Sequence, residues 1–176
     1  IPPDAAVPPD AAVPPDAAPL PDAAINPDIE CPEGQDCDCA GPGCDLICEA
    51  DDCRLECRAG AVDCQAFCAG SDCELVCSAG AQCDSLECNG GGCTQACEAG
   101  AECSAFCNGN ACNGRCAAGA ECDFECGGNN CDYDCRTAQR CEVHCLGNGC
   151  TLDCGLRGPE ACSMRCDGNN CEVNRD

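Results

Sequence analysis

Residues 122–135 read Cys122-Asp123-Phe124-Glu125-Cys126-Gly127-Gly128-Asn129-Asn130-Cys131-Asp132-Tyr133-Asp134-Cys135. Two units of the form cysteine, polar, apolar, polar, cysteine are joined by residues that favour a chain reversal. In an extended strand, alternate side chains face the same side. Both cysteines and the central ring of each unit therefore point one way, and the carboxylates point the other. The apolar positions keep a period of two, and glycine recurs too often for a helix.

The same unit recurs from Cys44 onward, as in Cys53-Arg54-Leu55-Glu56-Cys57, Cys73-Glu74-Leu75-Val76-Cys77 and Cys150-Thr151-Leu152-Asp153-Cys154. The turns alternate between a short kind, such as 69–72 and 108–111, and a longer kind, such as 58–63 and 155–161. Glycine and asparagine fill them because sharp reversals need positive φ. Cys64, Cys83, Cys103, Cys122 and Cys141 mark a full period of 19 or 20 residues. A fixed period of this length denotes a solenoid, in which each repeat buries its apolar face only against its neighbours. The expected fold is all-β: a disulfide-rich, two-sheet parallel β-solenoid of about six to seven coils of 19 residues. At about 4.8 Å per coil the rod is near 31 Å long.

The expected core is thin: Leu46, Leu55, Leu75, Phe124, Tyr133, Val143, Leu152, Met164 and Val173, with Ala66, Ala105 and Gly114 in narrow layers. Gln95 breaks the apolar rule and needs a hydrogen-bond partner. The unit from Cys83 to Cys88 carries one extra residue, which reads as a bulge.

Thirty of the 176 residues are cysteine, and aromatics are confined to Phe67, Phe106, Phe124 and Tyr133. A chain this poor in large side chains needs staples. The count is even, as a closed set of bridges requires. If the sheets face each other, the cysteine ending one strand lies opposite the one starting the next. Sequential pairing then gives Cys31–Cys37, Cys39–Cys44, Cys48–Cys53, Cys57–Cys64, Cys68–Cys73, Cys77–Cys83, Cys88–Cys93 and Cys97–Cys103. It continues with Cys107–Cys112, Cys116–Cys122, Cys126–Cys131, Cys135–Cys141, Cys145–Cys150, Cys154–Cys162 and Cys166–Cys171. A nested scheme, with Cys64–Cys77 around Cys68–Cys73, also suits two facing strands but leaves Cys162 without a regular partner. Each sequential bridge closes a loop of about five residues and stabilises by roughly 2 kcal/mol in the chain-entropy account. Such bridges persist in oxidising compartments, so a secreted, extracellular or cell-surface location is expected. No charged-then-apolar leader stands in the sequence, and the expectation is a mature chain.

Three segments follow from composition. Residues 1–30 are a Pro/Ala/Asp-rich arm, beginning Ile1-Pro2-Pro3-Asp4-Ala5-Ala6 and repeating from Val7 and Val13. Paired prolines favour polyproline II, at about 3.1 Å per residue, or roughly 90 Å in all. The arm reads as a spacer or as a strap that docks on a neighbour. Residues 31–43 read as an irregular cysteine-rich cap, and 44–176 as the solenoid.

Net charge is −24 and all eight basic residues are arginine. That excludes phosphate-neutralising nucleic-acid binding and makes anionic membranes repulsive. No apolar run is long enough to span a bilayer, so no membrane insertion is expected.

Chemistry has little to stand on. His144, the sole histidine, falls on an outward strand position. Ser71, Ser78, Ser85, Ser104 and Ser163 have no base near them in the pattern, and a regular rod offers no cleft to perturb carboxylates. No enzyme activity and no cofactor are expected. Thiolate metal sites use tight Cys-x-Cys or Cys-x₂-Cys pairs, and only Cys37-Asp38-Cys39 fits.

Gly127-Gly128-Asn129-Asn130-Cys131-Asp132 resembles the repeat of the calcium-binding β-roll, with Asn130 in place of a glycine. The resemblance implies weak calcium binding, with Asp132 the candidate ligand. The position of Asp132 holds Glu74, Thr94, Asn113, Thr151 or Glu172 in other coils, which a roll needing calcium in every turn would not tolerate. The stapled coils also resemble insect antifreeze proteins in architecture. Their ranked threonines are missing, since only Thr94, Thr137 and Thr151 occur. The Pro-Asp-Ala-Ala stretches resemble linkers of bacterial surface lipoproteins.

The expected role is a secreted, non-enzymatic structural protein. Its partner would be a second copy of itself, joined head to tail into a filament with the arm docked on a neighbour. Assembly is expected to rest on Ile1, Val7, Val13, Leu20, Ile25 and Val173. The alternatives are a monomeric surface spacer, adhesin or ligand-binding module on a stalk, and a calcium- or metal-binding protein.

Overall fold

The structure, a computed structural model, describes residues 28–176; most of the arm, including Ile1, Val7, Val13, Leu20 and Ile25, lies outside them. Sixteen strands alternate between two parallel sheets. The odd sheet holds β1 (Ile29–Glu30), β3 (Asp45–Cys48), β5 (Cys64–Cys68), β7 (Gln82–Cys88), β9 (Glu102–Cys107), β11 (Glu121–Cys126), β13 (Arg140–Cys145) and β15 (Cys162–Cys166). The even sheet holds β2 (Asp36–Cys39), β4 (Arg54–Cys57), β6 (Glu74–Cys77), β8 (Thr94–Cys97), β10 (Asn113–Cys116), β12 (Asp132–Asp134), β14 (Thr151–Asp153) and β16 (Glu172–Asn174).

Each coil thus lays one strand on each sheet, and the rod has about eight turns. That exceeds six to seven because the first cysteine-rich stretch also forms a coil. Ile29 pairs with Leu46, and Cys37 pairs with Leu55. Cys37 therefore occupies the central inward position that an apolar side chain fills elsewhere, which is why the cysteine rhythm looks broken there.

Register keeps like positions in rows. The inward row of the odd sheet runs Ile29, Leu46, Ala66, Leu86, Ala105, Phe124, Val143, Met164. The even sheet presents Cys37, Leu55, Leu75, Gln95, Gly114, Tyr133, Leu152 and Val173. Size is balanced between coils. Phe124 and Tyr133 share one coil, with ring centroids 4.9 Å apart. The preceding coil contributes only Ala105 and Gly114. A Cβ on Gly114 would collide with the Tyr133 ring and crowd Phe124, so the large rings lean into the space that glycine leaves.

Leu46, Leu55, Leu75, Phe124, Tyr133, Val143 and Leu152 are buried, and Leu86, in the bulged strand, joins them. Met164 is half-buried and Val173 is 37% exposed, because no further coil covers them among the described residues. The bulge sits at Asp84, which is skipped between the Cys64–Cys83 and Gln65–Ser85 pairs. Gln95, fully buried, spans to the odd sheet beside it: its Nε2 donates to the carbonyls of Leu86 (2.8 Å) and Phe106 (2.9 Å).

All thirty cysteines are bridged, in the sequential pattern rather than the nested one, with Cα atoms 5.8–6.6 Å apart. Apart from half-exposed Cys37 and the last bridge, their sulfurs are withdrawn into the interior. The short turns stack so closely that one position admits only glycine. A Cβ on Gly70 would strike the carbonyl of Ala50, and Gly90, Gly109, Gly128, Gly147 and Gly168 repeat the collision one coil on each time. Two residues later the chain turns left-handed at Asp52, Asp72, Gly92, Ala111, Asn130, Gly149 and Asn170.

Candidate functional site

The interior, the two outer faces and the two ends are the surfaces that could carry function. In the interior, successive bridges bring sulfurs into columns. Cys107, Cys112 and Cys131, then Cys126, Cys145 and Cys150, then Cys145, Cys166 and Cys171, place their sulfur atoms within 4.8 Å of one another. Among the described residues these are the sets of three that lie close enough to hold one ion. Every member is oxidised, and a disulfide sulfur lacks the thiolate charge that binds a metal.

An open depression of about 420 Å³ runs along the leading edge of the odd sheet. Asp63, Asp84, Glu102, Glu121, Asp123 and Glu142 line it, with Arg140 as the one basic group. The side chains there are held locally. Arg140 pairs with Glu142 at 2.8 Å, Gln82 Nε2 donates to Glu102 (3.2 Å), and Gln139 Nε2 donates to Glu121 (2.8 Å). The carboxylates line a shallow face rather than converge on a point.

Asp132 stands on the outer face of β12, exposed, between Asn113 and Thr151 in its row. Its row neighbours thus include no second carboxylate. His144 lies on β13 between Glu125 and Arg165. Its Nε2 lies 2.9 Å from Asp167 Oδ2, and its Nδ1 lies 3.9 Å from Glu125. Hydrogen bonds from His144 and Arg165 hold the Asp167 carboxyl below the usual aspartate range. This is a surface ion cluster linking three coils. The hydrogen-bond partner of the imidazole is a carboxylate, with no hydroxyl nucleophile in the pair.

On the short turns, asparagines form a ladder. Asn110 Oδ1 accepts from both the backbone N–H and the side-chain amide of Asn129, at 2.9 and 3.0 Å. Asn129 does the same for Asn148, and Asn148 for Asn169. Each coil thereby fixes the turn of the next.

The outer face of the odd sheet carries a feature that the alternation made readable but the cysteine rhythm overshadowed. Phe67 and Phe106 occupy the fourth place of their units, which points outward. They fall in one row: Glu30, Ile47, Phe67, Glu87, Phe106, Glu125, His144, Arg165. Half of the aromatic residues of the chain are therefore on the surface, half-buried, on a single line.

At the ends, β1 and β2 each pair on one side only, as do β15 and β16 among the described residues. Glu30 begins the outer row that Arg165 finishes, and Ile29 begins the inner row that Met164 finishes. Val173 is exposed at the β16 edge. Arg175 folds back across this end, its guanidinium donating to the carbonyls of Arg157 (2.6 Å) and Cys162 (2.9 Å). No helix of the described residues is long and apolar enough to cross a membrane. The fold, an all-β solenoid stapled by fifteen disulfides, fits an extracellular structural protein in an oxidising environment. Comparison with protein-family models, with curated proteins and with solved structures finds no match to this chain.

Proposed function

We propose that the chain is a secreted, non-enzymatic structural protein that assembles head to tail into a filament, with the arm of each copy docked on its neighbour. The observation that carries this is the agreement of the two ends. Continuing the parallel register across a joint sets Ile29 of one copy beside Met164 of another and Glu30 beside Arg165. The same step covers Val173 with the β2 edge. Unpaired strand edges template further pairing, and a head-to-tail contact propagates without closing.

The second reading, a monomeric spacer or adhesin on a proline-rich stalk, is favoured by Arg175. Its two hydrogen bonds to end-coil carbonyls occupy acceptors at the edge where a second copy would dock. Net charge of −24 also opposes close approach of copies. Negative-stain microscopy at about 0.15 M salt, where charge is screened within about 8 Å, separates the two. Filaments are expected from the full chain, and a chain lacking residues 1–24 is expected to stay folded but not assemble. Short isolated rods from the full chain would select the stalk instead, and normal filaments from the truncated chain would remove the arm from the joint.

A further inference from the structure

On the outer face of the odd sheet, Phe67 and Phe106 each border a shallow depression, and the two depressions follow one line, which we read as a groove. Near β1 the groove widens to about 270 Å³ beside Asp28, Ile47, Gln65 and Phe67. Further along it opens again, to about 150 Å³, beside Ser85, Ser104, Phe106 and Asp123. The neighbouring outward row runs Asp45, Gln65, Ser85 and, beyond the register shift between β7 and β9, Ser104 and Asp123. We propose that this groove receives a proline-rich segment in polyproline II conformation, namely residues 1–27 of the next copy in the filament. The source of the segment rests on the head-to-tail reading; the groove and its chemistry do not.

Four observations carry the assignment. First, spacing: Phe67 and Phe106 are two coils apart, about 9.6 Å, and a polyproline II turn of three residues rises about 9.3 Å. Successive turns of such a segment meet successive rings. Second, charge. With three residues per turn, Asp4, Asp10, Asp16, Asp22 and Asp28 all fall on one edge, spaced six apart in sequence. The other two edges are uncharged throughout: Pro2, Ala5, Pro8, Ala11, Pro14, Ala17, Leu20 on one, and the prolines and alanines from Pro3 to Pro27 on the other. An acidic arm can thus lay an uncharged face on an acidic groove with its carboxylates in solvent; Leu20 then faces the groove, whereas Ile1, Val7, Val13 and Ile25, expected from sequence to carry assembly, share the acidic edge. Third, hydrogen bonding: a polyproline II backbone has no internal bonds, and Gln65, Ser85 and Ser104 supply side-chain donors along that outward row. Aromatic-lined grooves recognise such segments in this way.

Fourth, reach and entry. Asp28, where the undescribed segment joins, lies beside the groove at its β1 end. When β1 of one copy follows β15 of another, β9 lies four coil steps away and β5 six. Those distances, about 19 and 29 Å, need about six and nine polyproline II residues. Counted back from Asp28, residues near Asp22 then meet Phe106, and residues near Pro19, one turn earlier, meet Phe67, so residues 1–27 are long enough.

The test uses the full-length chain and its F67S/F106S double variant. Both rings stand outside the core, so the far-UV circular dichroism spectrum and the absence of free thiols should not change. The probe is a synthetic peptide of residues 1–27, titrated into each protein at a concentration where it is monomeric. Binding to the wild type, weakened about tenfold or more in the double variant, is expected. Sedimentation should show filament loss in the double variant alone. Undetectable peptide binding, or equal binding to both proteins, overturns the groove assignment. Peptide binding that depends on the two rings, in a chain that forms no filaments, keeps the groove and overturns the filament.

Discussion

At the scale of single residues, Tyr133 shows how far a cysteine interior can be filled. Its ring is fully buried against Phe124 and over Gly114, and its hydroxyl has no hydrogen-bond partner among the described residues. Burial pushes the Tyr133 hydroxyl well above its ordinary value of 10.0, since desolvation disfavours the phenolate. The neutral phenol therefore contributes stability that is fully present below pH 10.0 and is lost as pH rises beyond it, where the unfolded chain ionises first. Tyr133 is the only tyrosine, so phenolate absorbance reports on it alone. No phenolate is expected at pH 10 in the folded protein, with ionisation arriving together with loss of β-structure. A reversible titration centred near 10 in folded protein would place the side chain in solvent.

At the scale of elements, strands are specified by alternation and turns by close approach. The short turns are packed carbonyl over glycine, so replacing Gly109 by alanine sets a Cβ against the Gly90 carbonyl. Backbone there cannot move aside without breaking the ladder on both sheets. We expect the substitution to cost about 1–3 kcal/mol, as overpacking does, read as a lower denaturant midpoint with bridges intact. An unchanged midpoint would show that the stack is looser than described. Strand boundaries, inward cysteines and the Phe124–Tyr133 layer were legible because each unit repeats one local rule. The first coil was not, since Ile29 and Glu30 precede every cysteine and Cys37 takes a central place. The Asn110–Asn169 ladder and the groove beside Phe67 and Phe106 were also hidden. Both depend on which residues stack one coil apart, and for Phe67 and Phe106 the one-residue bulge at Asp84 shifts that count.

At the scale of the whole molecule, the interior is mostly sulfur and small side chains, so sheets and bridges stand or fall together. A native sample is expected to show no alkylatable thiol. Reduction without denaturant should then abolish the β-sheet circular dichroism signal. Retention of that signal after complete reduction would mean that the thin apolar rows suffice alone.

The bridges are all local, joining residues 5 to 8 apart in sequence; each links a strand only to the next one along the chain, so none spans a whole coil. Under tension along the rod, coils can therefore peel away singly, but each yields little slack. Between Cys64 and Cys83, two cystines bypass the turns, leaving about eight residues of free backbone and two short cross-links. Such a coil pays out roughly 40 Å, where the same stretch without bridges would give about 65 Å. Pulled from its ends, the protein would behave as a string of inextensible links, lengthening in small equal steps and never running out as a free thread.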